Sequence, residues 1–80
     1  MPEANYLFSM RLADVSSADD LCRVLEERVE EIADAEESGE HLGEISGILH
    51  AHRRVNEDLW NNEGVIAAAK KLLDITNAMR

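Results

Sequence analysis

The chain has 80 residues, a formal net charge of −9, 45% apolar and 31% charged residues, and a single cysteine. A chain of this length is read as one domain, 1–80, that buries a little over ~60% of its unfolded surface, so a lone core is marginal and oligomerisation would help it. Its few glycines and single proline argue against a disordered tail. Cys22 alone excludes an internal disulfide, and the reading is a cytoplasmic protein: there is no basic leader, and no apolar run approaches the ~18 residues of a membrane span.

In chain order, Tyr6, Phe8, Met10 and Leu12 alternate with Leu7, Ser9, Arg11 and Ala13, the period-two pattern of a half-buried strand. Residues 1–15 are therefore predicted to be a strand or arm, and 16–80 a helical bundle. A short helix opened by Pro2 is the competing reading. A lone strand needs a partner for its backbone donors and acceptors. The economical partner is the same strand of a second copy, so Tyr6, Phe8, Met10 and Leu12 are the expected dimerisation residues of a homodimer.

Ser16 or Ser17 is the expected N-cap of a first helix, with Asp19 and Asp20 in the turn where the helix dipole favours anions. From Ala18 to about Glu37, Leu21, Val24, Leu25, Val29, Ile32 and Ala35 fall on one arc, and Asp19, Asp20, Glu26, Glu27, Glu30, Glu31, Asp34 and Glu37 on the other. Ser38 and Gly39 break the pattern, and the flanking helices are predicted to form an antiparallel hairpin. The second helix, near Glu40 to Trp60, directs Leu42, Ile45, Ile48, Leu49, Val55 and Leu59 to one face, which His41 and His52 share. After Asn61, Asn62 and Gly64, a third helix near Glu63 to Met79 carries Val65, Ile66, Ala69, Leu72, Leu73 and Met79. The predicted fold class is thus mainly α: an N-terminal β-strand followed by three amphipathic helices.

Charge is distributed unevenly. Eleven of the seventeen acids lie between Asp19 and Glu44, opposed there by Arg23 and Arg28 alone, while the remainder of the chain is balanced. Glu26 with Glu30, Glu27 with Glu31, and Glu30 with Asp34 are like-charge pairs at i,i+4 that cost a few tenths of a kcal/mol each in an isolated helix. Such a face is either a solvated surface or one kept for a cationic partner. Arg28 stands within the apolar arc, where a charge needs a partner; Asp14, Glu57 and Asp58 are the candidate acceptors, and snorkelling at the core edge is the alternative.

Other chemistry finds little footing. His50 and His52 point about 200° apart on a helix and cannot share an ion, His41 and Glu44 make two ligands without a third, and no HExxH or clustered cysteine is present, so no metal or cofactor is expected. The serines have no nucleophile motif, and Asp19 and Asp20 oppose thiolate formation at Cys22; no enzyme is expected. Gly43, Gly47 and Ala51 form a small-residue row that would suit close approach of another helix. The order of strand and helices is similar to that of ribbon-helix-helix repressors, in the alternation from Phe8 to Leu12. The ribbon face, however, offers Leu7, Ser9 and Arg11 with one cation, and the first helix is too long and too anionic to lie along DNA.

Taken together, the acidity disfavours direct nucleic-acid binding and favours a basic nucleic-acid-binding protein as partner. The expected activity is non-enzymatic occlusion of that partner's groove by Glu26, Glu27, Glu30, Glu31, Asp34 and Glu37. Phage-borne inhibitors of host defence, anti-CRISPR proteins among them, are a class of matching size and charge. The rival expectations are a structural or assembly subunit that uses apolar faces, and a ribbon-type DNA-binding regulator.

Overall fold

Residues 3–34 and 39–79 are described by a computed structural model, with side-chain surroundings given for 5–34 and 42–78. They form five helices: α1 (Glu3–Asp14), α2 (Ala18–Asp34), α3 (Gly39–Val55), α4 (Glu57–Trp60) and α5 (Glu63–Met79). Among the described residues there is no strand.

The expected N-terminal strand is therefore a helix, and the ribbon dimer that depended on it has no basis. Phe8 and Leu12 are four apart, and with Asn5 three before Phe8 they occupy one helical face; all three are buried within the chain itself. Tyr6 and Met10 are also four apart and lie on a different, exposed face. The same residues satisfy both periods, and what separates the readings is the backbone: a helix pairs its own N–H and C=O groups, whereas a single strand leaves them open. Val15 closes α1 by donating its backbone N–H to the Leu12 carbonyl at 3.3 Å.

Ser17 then opens α2. Its hydroxyl accepts the Asp20 backbone N–H at 3.2 Å, and the Ser16 hydroxyl donates to the Asp20 carboxylate at 3.0 Å, so two neighbouring serines secure the first turn. Leu21, Leu25, Val29 and Ile32 form its buried stripe. Each such side chain contributes about 1.5–3 kcal/mol relative to exposure.

The hairpin expected from α2 and α3 is also not formed. Among the described residues these two helices make no close approach; each packs on both α1 and α5, with α2 set mainly against α5. The four long helices thus run around the core in the order α1, α2, α5, α3. Phe8 and Leu12 from α1, Leu42, Ile45 and Leu49 from α3, and Val65, Ala68, Ala69 and Leu72 from α5 complete one continuous apolar cluster with the stripe of α2. Gly39, expected to end α2, is the first residue of α3; Ser38 and Ala35 lie outside the described residues, as do the surroundings of the His41 and Met79 side chains.

The expected second helix divides at Asn56. The Asn56 side-chain amide donates to the His52 carbonyl at 3.0 Å and its backbone N–H to the Arg53 carbonyl at 3.2 Å, closing α3. Val55, assigned to the apolar face on the assumption of a continuous helix, is 80% exposed at that end. The short α4 redirects the chain and returns Trp60 to the core. Asn62 caps α5, its side-chain oxygen accepting the N–H groups of Gly64 at 2.9 Å and Val65 at 3.2 Å. At Gly64 an added Cβ would stand 3.1 Å from the Asn62 side-chain oxygen that caps α5 and in ordinary contact, at 3.4 Å, with the Cys22 sulfur on α2, so a side chain here would crowd the cap. Ile66, expected in the α5 stripe, is instead 52% exposed. No helix among the described residues is long and apolar enough to cross a membrane.

Candidate functional site

The acidic face of α2 divides into two rows that differ in what surrounds them. Glu27 and Glu31 lean toward α1, where Arg11 Nη1 lies 3.8 Å from Glu27 Oε2 and 3.1 Å from Glu31 Oε2. Glu31 also receives Arg28 Nη1 at 3.3 Å on its other oxygen. Glu26, Glu30 and Asp34 are exposed, and no ion pair among the described residues engages them. Glu37 lies outside the described residues.

Arg11 and Arg28 together account for the asymmetry, and Arg28 is the buried one of the two. It is 1% exposed, donates through Nη2 to the Asn5 side-chain oxygen at 3.1 Å, and holds its guanidinium carbon 5.9 Å from the centre of the Phe8 ring. It does not snorkel, and its carboxylate partner among the described residues is Glu31, one turn along the same helix, not Asp14, Glu57 or Asp58. Sequence spacing contains this pair, since Arg28 and Glu31 stand at i,i+3. What the sequence does not reveal is that α1 lies alongside and supplies Asn5, Phe8 and Arg11, because that required α1 to be read as a helix.

The expected dimerisation residues are separated in the same way. Phe8 and Leu12 belong to the intramolecular core, while Tyr6 and Met10 are 66% and 50% exposed, with Leu7 beside them at 50%. The small-residue row on α3 faces no neighbouring helix at Gly47, where a Cβ would meet nothing within 4 Å.

Cys22 is half-buried against the core. Burial pushes its thiol above the ordinary value, and the charges of Glu26 and Asp19 push it further in the same direction. This arrangement suppresses the thiolate and gives the sulfur a packing role. His52 is held by two hydrogen bonds: Trp60 Nε1 donates to Nδ1 at 2.9 Å, and Nε2 lies 2.9 Å from the Leu12 carbonyl oxygen. Among the described residues no three His, Cys, Asp or Glu side chains gather into a metal-binding cluster.

No protein-family model matches the chain, and neither the curated proteins nor the solved structures searched contain a match. The functional reading therefore rests on the surface itself. Its most distinctive part is the exposed row Glu26, Glu30 and Asp34 on a helix whose neighbouring carboxylates are drawn aside by Arg11 and Arg28.

Proposed function

We propose that the protein is a non-enzymatic binder that applies the α2 carboxylates to a basic, nucleic-acid-binding surface of a partner protein and so competes with nucleic acid for it. The observation that carries this reading is the row Glu26, Glu30 and Asp34, exposed and outside every ion pair of the described residues. Successive members rise about 6 Å along the helix. The three carboxylates therefore span about 12 Å along the axis, a fixed line of negative charge facing outward. Rigidity contributes as well, because the row is carried on a helix fixed by its buried stripe, so little ordering cost falls on association. Inhibitors of nucleic-acid-guided host defence, the anti-CRISPR proteins among them, are the functional class in which such a surface would act.

A tagged pull-down from cognate lysate at low and high salt tests the reading, with Glu26→Lys/Glu30→Lys/Asp34→Lys run in parallel. Capture of a nucleic-acid-binding protein at low salt, weakened by salt and lost in the variant, is the expected result. An identical set of captured proteins from the variant would overturn it.

A second reading has its own support. Tyr6, Leu7 and Met10 form an exposed apolar patch on α1, and such patches mark contact surfaces in assemblies. As an assembly subunit, the protein would lose its partner on Leu7→Asp or Met10→Asp and would tolerate charge reversal on α2.

A further inference from the structure

On the side of the bundle away from α1 and α2, α3 and α5 leave a groove of about 400 Å³ between them. That volume lies within the ~300–1,000 Å³ of small-molecule sites. Ile66 and Leu73 supply most of its apolar surface beside the buried Leu49 and Trp60, and Arg53 and Lys70 stand on opposite walls. On each wall a cation follows an apolar residue by one turn: Leu49 then Arg53 on α3, Ile66 then Lys70 on α5.

Three further features define what this groove would accept. Ile66 is 52% exposed although it lines the groove, so the wall retains apolar area that the protein's own core does not cover. Trp60 is 7% exposed and its N–H is already committed to His52, so the groove meets only a small part of the ring and no donor. Arg53 and Lys70 take part in none of the ion pairs of the described residues, leaving both cations available to an incoming anion. Asp74, one turn beyond Lys70, also lines the groove and disfavours negative charge at that end, which directs the anion toward the Arg53 side.

We propose that this groove binds an amphipathic monocarboxylate, with its hydrocarbon body along Leu49, Trp60, Ile66 and Leu73 and its carboxylate between Arg53 and Lys70. A carboxylate matches a guanidinium and an ammonium by charge-assisted hydrogen bonds, and the apolar body removes the exposed Ile66 surface from water. The site is separate from the α2 carboxylates and stands whether or not they bind a partner.

Trp60 is the chain's one tryptophan, so its emission reports on the groove directly. The intact protein would be titrated with decanoate, and with decylamine as a probe of equal chain length and opposite charge. A saturable change in emission with decanoate is expected, absent with decylamine, and about tenfold weaker in Arg53→Gln/Lys70→Gln, as loss of a charge-assisted contact requires. Circular dichroism of that variant should match the parent, since both side chains are exposed. No saturable change, equal response to decylamine, or undiminished decanoate binding by the folded variant would each overturn the proposal.

Discussion

The Trp60 indole N–H donates to Nδ1 of His52 at 2.9 Å, while Nε2 of the same ring meets the Leu12 carbonyl oxygen at 2.9 Å. An indole nitrogen only donates and a carbonyl only accepts, so the neutral ring carrying its proton on Nε2 satisfies both. His52 thereby ties α1 to α3 and anchors the residue that ends α4. Long-range proton–nitrogen NMR should show the Nε2–H tautomer, and a ring protonated on Nδ1 alone would contradict this geometry. His52→Ala should cost about 1–3 kcal/mol in urea unfolding, because it removes the partner of a buried N–H.

Glu27 and Glu31 both face Arg11, at 3.8 Å and 3.1 Å, but differ in importance. Glu31 also meets the buried Arg28, and removing a charged partner from a buried cation weakens the compensation for its desolvation. Glu31→Gln should destabilise the fold by about 1–3 kcal/mol, and Glu27→Gln by no more than about 0.5 kcal/mol. Equal unfolding midpoints for the two variants would show that neither the Arg28 contact nor the closer Arg11 contact of Glu31 contributes.

Glu26→Lys/Glu30→Lys/Asp34→Lys should leave the helical circular-dichroism spectrum intact and keep the unfolding free energy within about 1 kcal/mol of the parent, since the three side chains are exposed and repel one another. This choice avoids Glu31, whose reversal would confuse loss of binding with damage at Arg28. A large loss of stability would mean that the row is held by contacts within the fold.

Gly47 lies in the middle of α3, is exposed, and has open space where a Cβ would stand. Gly47→Ala should therefore stabilise the protein by about 0.5–1 kcal/mol. A decrease measured in denaturant titration would show a contact at this position that the isolated chain lacks.

Cys22 should be alkylated by iodoacetamide at neutral pH more slowly than a cysteine in an unfolded peptide. Its raised thiol pKa lowers the thiolate fraction, and the thiolate is the nucleophile. Denaturant should restore the ordinary rate, and equal rates with and without denaturant would rule out the protection.

The helices of α2, α3 and α5 were legible because each carries a stripe at helical spacing and two of them a side-chain cap, Ser17 and Asn62, of the expected type. The first fifteen residues were not, since Tyr6, Phe8, Met10 and Leu12 fit a period of two while Asn5, Phe8 and Leu12 fit a helix equally well. That one choice carried the expected dimer with it and concealed the Arg11 and Asn5 contacts of α2. The division at Asn56 was missed for another reason: Val55 and Leu59 continue the apolar spacing of α3, and the Asn56 bonds to the His52 and Arg53 carbonyls close the helix between them. The α2 carboxylates were visible from composition and spacing, but their division into paired and exposed rows depends on a neighbouring helix that the pattern did not reveal.

The order of the helices around the core also bears on how the protein is made. The main packing partner of α2 is α5, which begins at Glu63 and ends at Met79, whereas α2 ends at Asp34. At ~5–20 residues per second, a ribosome takes roughly 2–9 s to pass from the end of α2 to the end of α5. Throughout that interval Leu21, Leu25 and Ile32 lack their final covering, so the nascent chain holds an uncovered apolar helix and completes its core only after α5 has emerged. The dense carboxylates on the opposite side of α2 give such intermediates charge of one sign, which disfavours their association.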